Sequence, residues 1–192
     1  MMLGYKKGMT QIYLDNGDLA PVTIVEAGPC FVSQVKEKSI QVGFGKTKHV
    51  NKPKSGHLKE LKLKHLKEFK VSKPEEYKIG QEINVEFFKI GDIVKVRGKS
   101  IGKGFAGTVK RWHFTRGPMS HGSKHHRLPG SIGAGTTPGR VEKGTRMSGR
   151  MGNRFITVKG LKILRIDKDN NIVMISGAVP GSNNNLLEIY KQ

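Results

Sequence analysis

The chain has 192 residues, 35% of them hydrophobic, which suffices for one domain with its own core and excludes a wholly disordered polymer. Thirty-five Lys and Arg against fifteen Asp and Glu give a formal charge of +20, a field that attracts polyanions and argues against a homo-oligomer. The single cysteine, Cys30, excludes an intramolecular disulfide and a Cys-based zinc finger, and no apolar run nears the roughly 20 residues of a membrane span.

In chain order, residues 10–14 and 21–26 alternate around Asp15-Asn16-Gly17-Asp18, the pattern of a β-hairpin with an Asx- and Gly-rich turn. The opening residues lack the apolar stretch of a signal peptide, so the expectation is a soluble chain that stays where it is made. Residues 31–35 and 40–44 form a second strand pair around Lys36-Glu37-Lys38-Ser39. Next comes a Lys-rich stretch: residues 36–78 carry thirteen basic side chains, all Lys, and five acidic ones. Within it Ser55 is a candidate cap, and Leu58, Leu61, Leu66 and Phe69 recur at roughly helical spacing. A basic helical insertion over about 51–78 is therefore expected, packed on the body with its Lys face toward solvent or RNA. It is short and lacks Trp, which disfavours a membrane-surface role.

Residues 82–87 alternate as a strand and 93–96 follow as another. Gly102-Lys103-Gly104-Phe105-Ala106-Gly107 matches G-x-G-x-x-G, but a dinucleotide site needs a helix next and an acid about twenty residues on. The following residues 108–112 read as β-like and basic, and no acid stands where one is needed. A bulged strand or tight loop against a phosphate backbone fits better than a nucleotide site. Residues 161–166 and 172–175 close the list as a hairpin around Asp167 to Asn171.

Residues 117–153 fit no such pattern. They hold nine glycines, three prolines and only scattered apolar residues: Met119, Leu128, Ile132, Val141, Met147 and Met151. Residues 110–159 hold eleven basic residues, seven of the nine arginines among them, against the lone acid Glu142. Arg grips phosphate bidentately and stacks on bases, whereas Lys is a hydrated point charge. Glycine permits close backbone approach to a ligand. So long a structureless segment in a compact domain reads as functional. The expectation is an arm, mobile alone and ordered inside folded RNA.

His113, His121, His125 and His126 invite a zinc reading, but the spacing matches no standard finger and no Cys, Asp or Glu stands among them. Hydrogen bonding or stacking with RNA is the better expectation. Ser120 and Ser123 lack an acid partner for a triad, and acids are too sparse for paired-carboxylate catalysis. No enzyme, metal or cofactor is expected. Trp112, the sole Trp, is either ordinary core or a ring at the base of the arm.

Three stretches closely resemble the large-subunit ribosomal protein L3 family. They are Phe88-Lys89-Ile90-Gly91-Asp92-Ile93-Val94-Lys95-Val96, the run Ser100-Ile101-Gly102-Lys103-Gly104-Phe105-Ala106-Gly107 through Trp112, and His126-Arg127-Leu128-Pro129-Gly130-Ser131-Ile132-Gly133. The resemblance continues through His121-Gly122, Pro138-Gly139-Arg140-Val141, Lys143-Gly144 and Met147-Ser148-Gly149-Arg150-Met151-Gly152-Asn153. It extends to Gly177-Ala178-Val179-Pro180-Gly181 and, at the start, to Gly4 with Lys7-Gly8-Met9-Thr10-Gln11, so it spans essentially the whole chain.

The resemblance implies a mainly β protein: a small closed barrel like that of translation elongation factors, with a long loop extended into ribosomal RNA. It implies direct binding near the 3′ end of large-subunit rRNA early in assembly and a loop tip approaching the peptidyl transferase centre. It also implies neighbours of the L14 and L19 families, and a bacterial-type cytoplasmic ribosome or an organellar one. Some bacterial members carry a methylated Gln where this chain has Arg150, so that modification cannot occur here. The stretch from Lys52 to Lys73 is shorter than the usual family insertion.

One domain over 1–192 is thus expected, with a barrel from 1–50, 79–112 and 155–192, the helical insertion at 51–78, and the arm at 113–154. The expected rRNA-binding residues are Lys103, Lys110, Arg111, Trp112, His113, Arg116, His121, Lys124, His126, Arg127, Arg140, Lys143, Arg146, Arg150 and Arg154. A free-standing nucleic-acid-binding protein and a nucleotide-dependent enzyme are the alternatives.

Overall fold

A computed structural model describes residues 1–58, 61–71 and 73–192. The chain is mainly β and divides into two units, one of Met1–Ser100 with Phe155–Gln192 and one of Ile101–Arg154. In the first unit β1 (Met2–Tyr13), β2 (Leu19–Ala27), β7 (Ile93–Lys99), β10 (Phe155–Asp167), β11 (Ile172–Ser176) and β12 (Leu186–Lys191) form a ring. Their antiparallel order is β1-β12-β7-β10-β11-β2, and β2 pairs back onto β1 to close it. A second sheet, ordered β5-β4-β3-β6, comprises β3 (Cys30–Lys36), β4 (Ser39–Lys46), β5 (Leu63–Lys70) and β6 (Glu82–Ile83).

Alternation explains the core. Side chains two apart on a strand share a face, so Val94 and Val96 of β7, Val173 and Ile175 of β11, and Leu187 and Ile189 of β12 all turn inward and are buried. Val32, Ile40, Val42, Phe44 and Phe69 from the second sheet join the same apolar cluster. Phe69 is also edge-on to Tyr190 of β12, with ring centroids 5.4 Å apart.

Both expected hairpins are present. In the first, Gly17 adopts φ +83° and Asp18 N–H donates to Asn16 Oδ1, so the turn uses the Asx and Gly chemistry read from the sequence. In the second, Asp167 accepts from the backbone N–H groups of Asp169 and Asn170, and its hydrogen bonds with Asn170 hold its carboxyl below the ordinary range. Gly177 to Gly181 acts as a latch: Thr23 Oγ1 donates to Gly177 O, while the buried Lys6 ammonium donates to the carbonyls of Val179 and Gly181.

Several expectations are corrected. The insertion at 51–78 is not one helix. Among its described residues the helical parts are α1 (Lys52–Leu58) and a 3-10 turn over Pro74–Glu76, and Ser55 lies inside α1, its N–H bonded to Asn51 O, rather than capping it. Leu66 and Phe69 belong to β5, which pairs along the whole of β4. Leu63 and Phe69 are buried while Lys64, Glu68 and Lys70 are exposed. That is a strand face, and the cross-strand partners of β4 outweigh the local spacing of leucines. Leu61 follows the undescribed residues 59 and 60. Residues 82–87 split into β6 and a 3-10 turn over Val85–Phe87. β12 is a strand the sequence reading did not foresee.

Candidate nucleic-acid interface

The unit Ile101–Arg154 carries eleven Lys and Arg and one acid, Glu142. Its regular structure gathers where its own two ends meet. β8 (Phe105–Ala106) pairs antiparallel with β9 (Gly149–Arg150), and α2 (Thr108–Trp112) follows β8 directly. Residues 108–112 are therefore helical, a correction of the β-like reading. Gly107 alone separates the end of β8 from α2, and its carbonyl accepts from Arg111 N–H to close the turn. His113, at φ +60°, ends the helix in the left-handed region, its N–H bonded to Val109 O.

This placement also decides the G-x-G-x-x-G stretch. Its backbone is already engaged: Lys103 N–H donates to Met151 O, and Met151 N–H donates to Gly104 O. Gly152 makes this close approach possible. It sits at φ +74°, and a Cβ there would lie 2.1 Å from Ile101 O. A loop whose amides face its own partner strand, followed by a helix of five residues, is no phosphate cradle of the dinucleotide type.

Trp112 belongs to this unit rather than to the core. Its Nε1–H and the Arg111 guanidinium both donate to Met147 O at 2.8 Å. The guanidinium groups of Arg111 and Arg146 lie 5.0 and 5.6 Å from the ring. One carbonyl, one indole and two arginines thus tie α2 to the segment leading into β9. Arg111, Trp112, Arg146 and Arg150 are brought together here, with Lys103 on the neighbouring backbone.

The remaining expected residues are spread out. Gly117 N–H donates to His126 O, and His126 Nδ1 contacts Pro118 O at 2.8 Å, closing a loop whose surface carries His121 and Lys124. Arg140 faces Glu142 at 3.9 Å, an exposed pair of little energetic weight. Lys110, His113, Arg116, Arg127, Lys143 and Arg154 are all exposed. Among the described residues no group of three or more His, Cys, Asp or Glu is placed to hold a metal ion.

No residue from 117 to 153 is buried. Met119, Leu128, Ile132 and Val141 lie open to solvent, as does Phe105, 79% exposed, whose aromatic surface the sequence reading passed over. Apolar side chains held out this way contribute nothing to a core and are available to a partner.

The segment Thr47 to Asn171 falls within the span over which the chain matches the family model described as ribosomal protein L3, residues 45–171. The large ribosomal subunit protein uL3c of Phaeodactylum tricornutum is 51% identical, covering 98% of this chain and 96% of its own. The uL3c of Guillardia theta is 50% identical over 98% of both chains, and the uL3 of a Nostoc species is 51% identical over 98% of this chain and 94% of its own. The chain belongs to the ribosomal protein L3 family. Membership makes it a ribosomal protein of the large subunit, at work in translation, in the bacterial cytoplasm or an organelle. The match to the L3 family model takes in the whole unit Ile101–Arg154, so the paired ends around Trp112 belong to what the chain shares with it.

Proposed function

We propose that the chain is a structural constituent of the large subunit that binds ribosomal RNA directly, through the unit Ile101–Arg154 as its arm. The observation that carries this reading is a segment of 37 positions, 117–153, without one buried residue and with cations far in excess of acids. A chain so exposed has too little burial to offset its conformational entropy, and a polyanion supplies what is missing. The arginines neutralise phosphates that would otherwise repel one another as RNA helices close around the arm, while glycines let the backbone come near.

In this reading the arm is mobile in the free protein and ordered in the particle. Binding takes place near the 3′ end of the large-subunit rRNA, helps nucleate assembly, and brings the arm's tip toward the peptidyl transferase centre. The closed strand ring is the translation-factor type of barrel, and proteins of the L14 and L19 families are its neighbours. The work is scaffolding rather than catalysis.

Filter binding to large-subunit rRNA across a salt series tests the reading. If about ten phosphates are engaged, log affinity falls with log salt at a slope of roughly −7 to −9. A slope near −2 would mean only two or three contacts and would overturn the extended arm.

A further inference from the structure

The first unit has a charged feature that the proposed arm does not use. A groove of about 530 Å³ opens where β5 faces β7, β10 and β12, lined by Phe69, Lys70, Lys95, Arg97, Lys159 and Tyr190. Strand register builds it. Arg97 pairs with Thr157 on one side and Glu188 on the other, and Lys95 pairs with Tyr190. Because neighbours alternate, Val94, Val96 and Ile189 fill the core while Lys95, Arg97, Thr157 and Tyr190 share the outward face. β5, at the edge of the second sheet, supplies Phe69 and Lys70 from the other wall.

The acids nearby are already engaged. Glu68 is bound by Lys36 at 2.9 Å and by Ser39 Oγ. Glu188, 5% exposed, takes Arg97 at 3.1 Å, Lys67 at 3.3 Å and the Tyr190 hydroxyl at 2.9 Å. Desolvation, with the hydrogen bond to Glu188, pushes Tyr190 up to about 12, so it stays a neutral donor at physiological pH. Lys70, Lys95 and Lys159 have no carboxylate partner among the described residues. Lys95 Nζ lies 5.2 Å from the Tyr190 ring centre, and the half-exposed Phe155 ring is flanked by Lys67 and Arg97.

We propose that this groove is a second binding site for an RNA phosphodiester backbone, contained wholly in the first unit. Lys95 and Arg97, two apart on β7, are about 6.7 Å apart along the strand. Lys70 on β5 and Lys159 on β10 add cations from separate strands, so charge lines the walls of the groove, which suits a linear polyanion better than a single phosphate. Aromatic rings between cations provide stacking surface for sugars and bases. A planar anionic membrane cannot enter a walled groove as a single strand of backbone can.

The inference rests on the proposed rRNA-binding reading, and the test separates the two. The full chain carrying Lys70→Gln, Lys95→Gln and Lys159→Gln is titrated with large-subunit rRNA across a salt series beside the parent and a triple Lys→Arg variant. The groove predicts a salt slope less negative by about 2 to 3 and affinity at least about tenfold lower, with the Arg variant restoring both. Because Lys159 is exposed, Lys159→Gln alone serves if the triple variant fails to fold, with a slope change of about 1. Parent-like slope and affinity in the Gln variants would overturn the groove and leave the arm standing. A parent that binds no rRNA would overturn the functional reading and the groove with it. Anionic phospholipid vesicles that displace RNA from the parent but not from the Gln variant would assign the groove to lipid and overturn the RNA proposal.

Discussion

The double variant Arg146→Glu, Arg150→Glu is expected to bind large-subunit rRNA at least about a hundredfold more weakly than the parent. Each charge-assisted contact to phosphate contributes about 1.5–3 kcal/mol, so losing two amounts to two to four orders of magnitude in affinity, and reversal adds repulsion. Both side chains are exposed, and Arg150 sits on β9, where a two-residue strand pair brings it opposite Phe105. The Arg146 guanidinium over Trp112 contributes about 0.5–1 kcal/mol at such a site, so unfolding of the first unit should be nearly unchanged. Filter binding and thermal melting of the same preparations check this. A fall in melting temperature as large as the fall in affinity would show that these arginines hold the fold instead of the RNA.

Phe69→Ala is expected to cost about 3–5 kcal/mol of unfolding free energy, read by urea titration. Phe69 is the largest of the fully buried side chains described, 1% exposed, and it joins the second sheet to β12 through Tyr190. Removing the ring leaves a cavity that β-sheet backbones on both sides cannot collapse to fill. A loss below about 1 kcal/mol would mean the two sheets do not share a core.

The fold is legible in the sequence where local chemistry and tertiary structure agree. Asp15 to Asp18 and Asp167 to Asn171 are turn residues whose side chains bond their own backbone, so both hairpins could be located without knowing their partners. It is not legible where distant pairing decides. Leu58, Leu61, Leu66 and Phe69 suggest a helix until β4 is placed beside Leu63 to Lys70. β12 does not show in the sequence because Leu186 and Tyr190 stand with Glu188 on the face opposite Leu187 and Ile189, which blurs the alternation, and only Lys67 and Arg97, distant in sequence, explain a buried carboxylate there. Residues 108–112 mix β-branched and aromatic types, yet one short turn after Gly107 is helical.

The candidate interface divides the same way. Composition alone marked out the arginines and glycines of 117–153, because lack of burial is a property of the residues themselves. The grouping of Arg111, Trp112 and Arg146 on Met147 O depends on how the ends of the segment pair. So does the unit's start at Ile101, ahead of the 117–153 stretch that composition marks. The cations of the groove are hidden for another reason: Lys70, Lys95 and Lys159 come from three strands far apart in the chain, and only the pairing of β7 with β10 and the position of β5 facing them put them together.

Amide hydrogen exchange on the purified chain, with and without large-subunit rRNA, bears most directly on whether RNA supplies the order that burial does not. Amides of 117–153 should exchange almost as fast as unstructured peptide in the free protein and slow by orders of magnitude in the complex, while β7 and β12 stay protected throughout. Protection of that segment in the RNA-free chain to the level of the ring strands would contradict it.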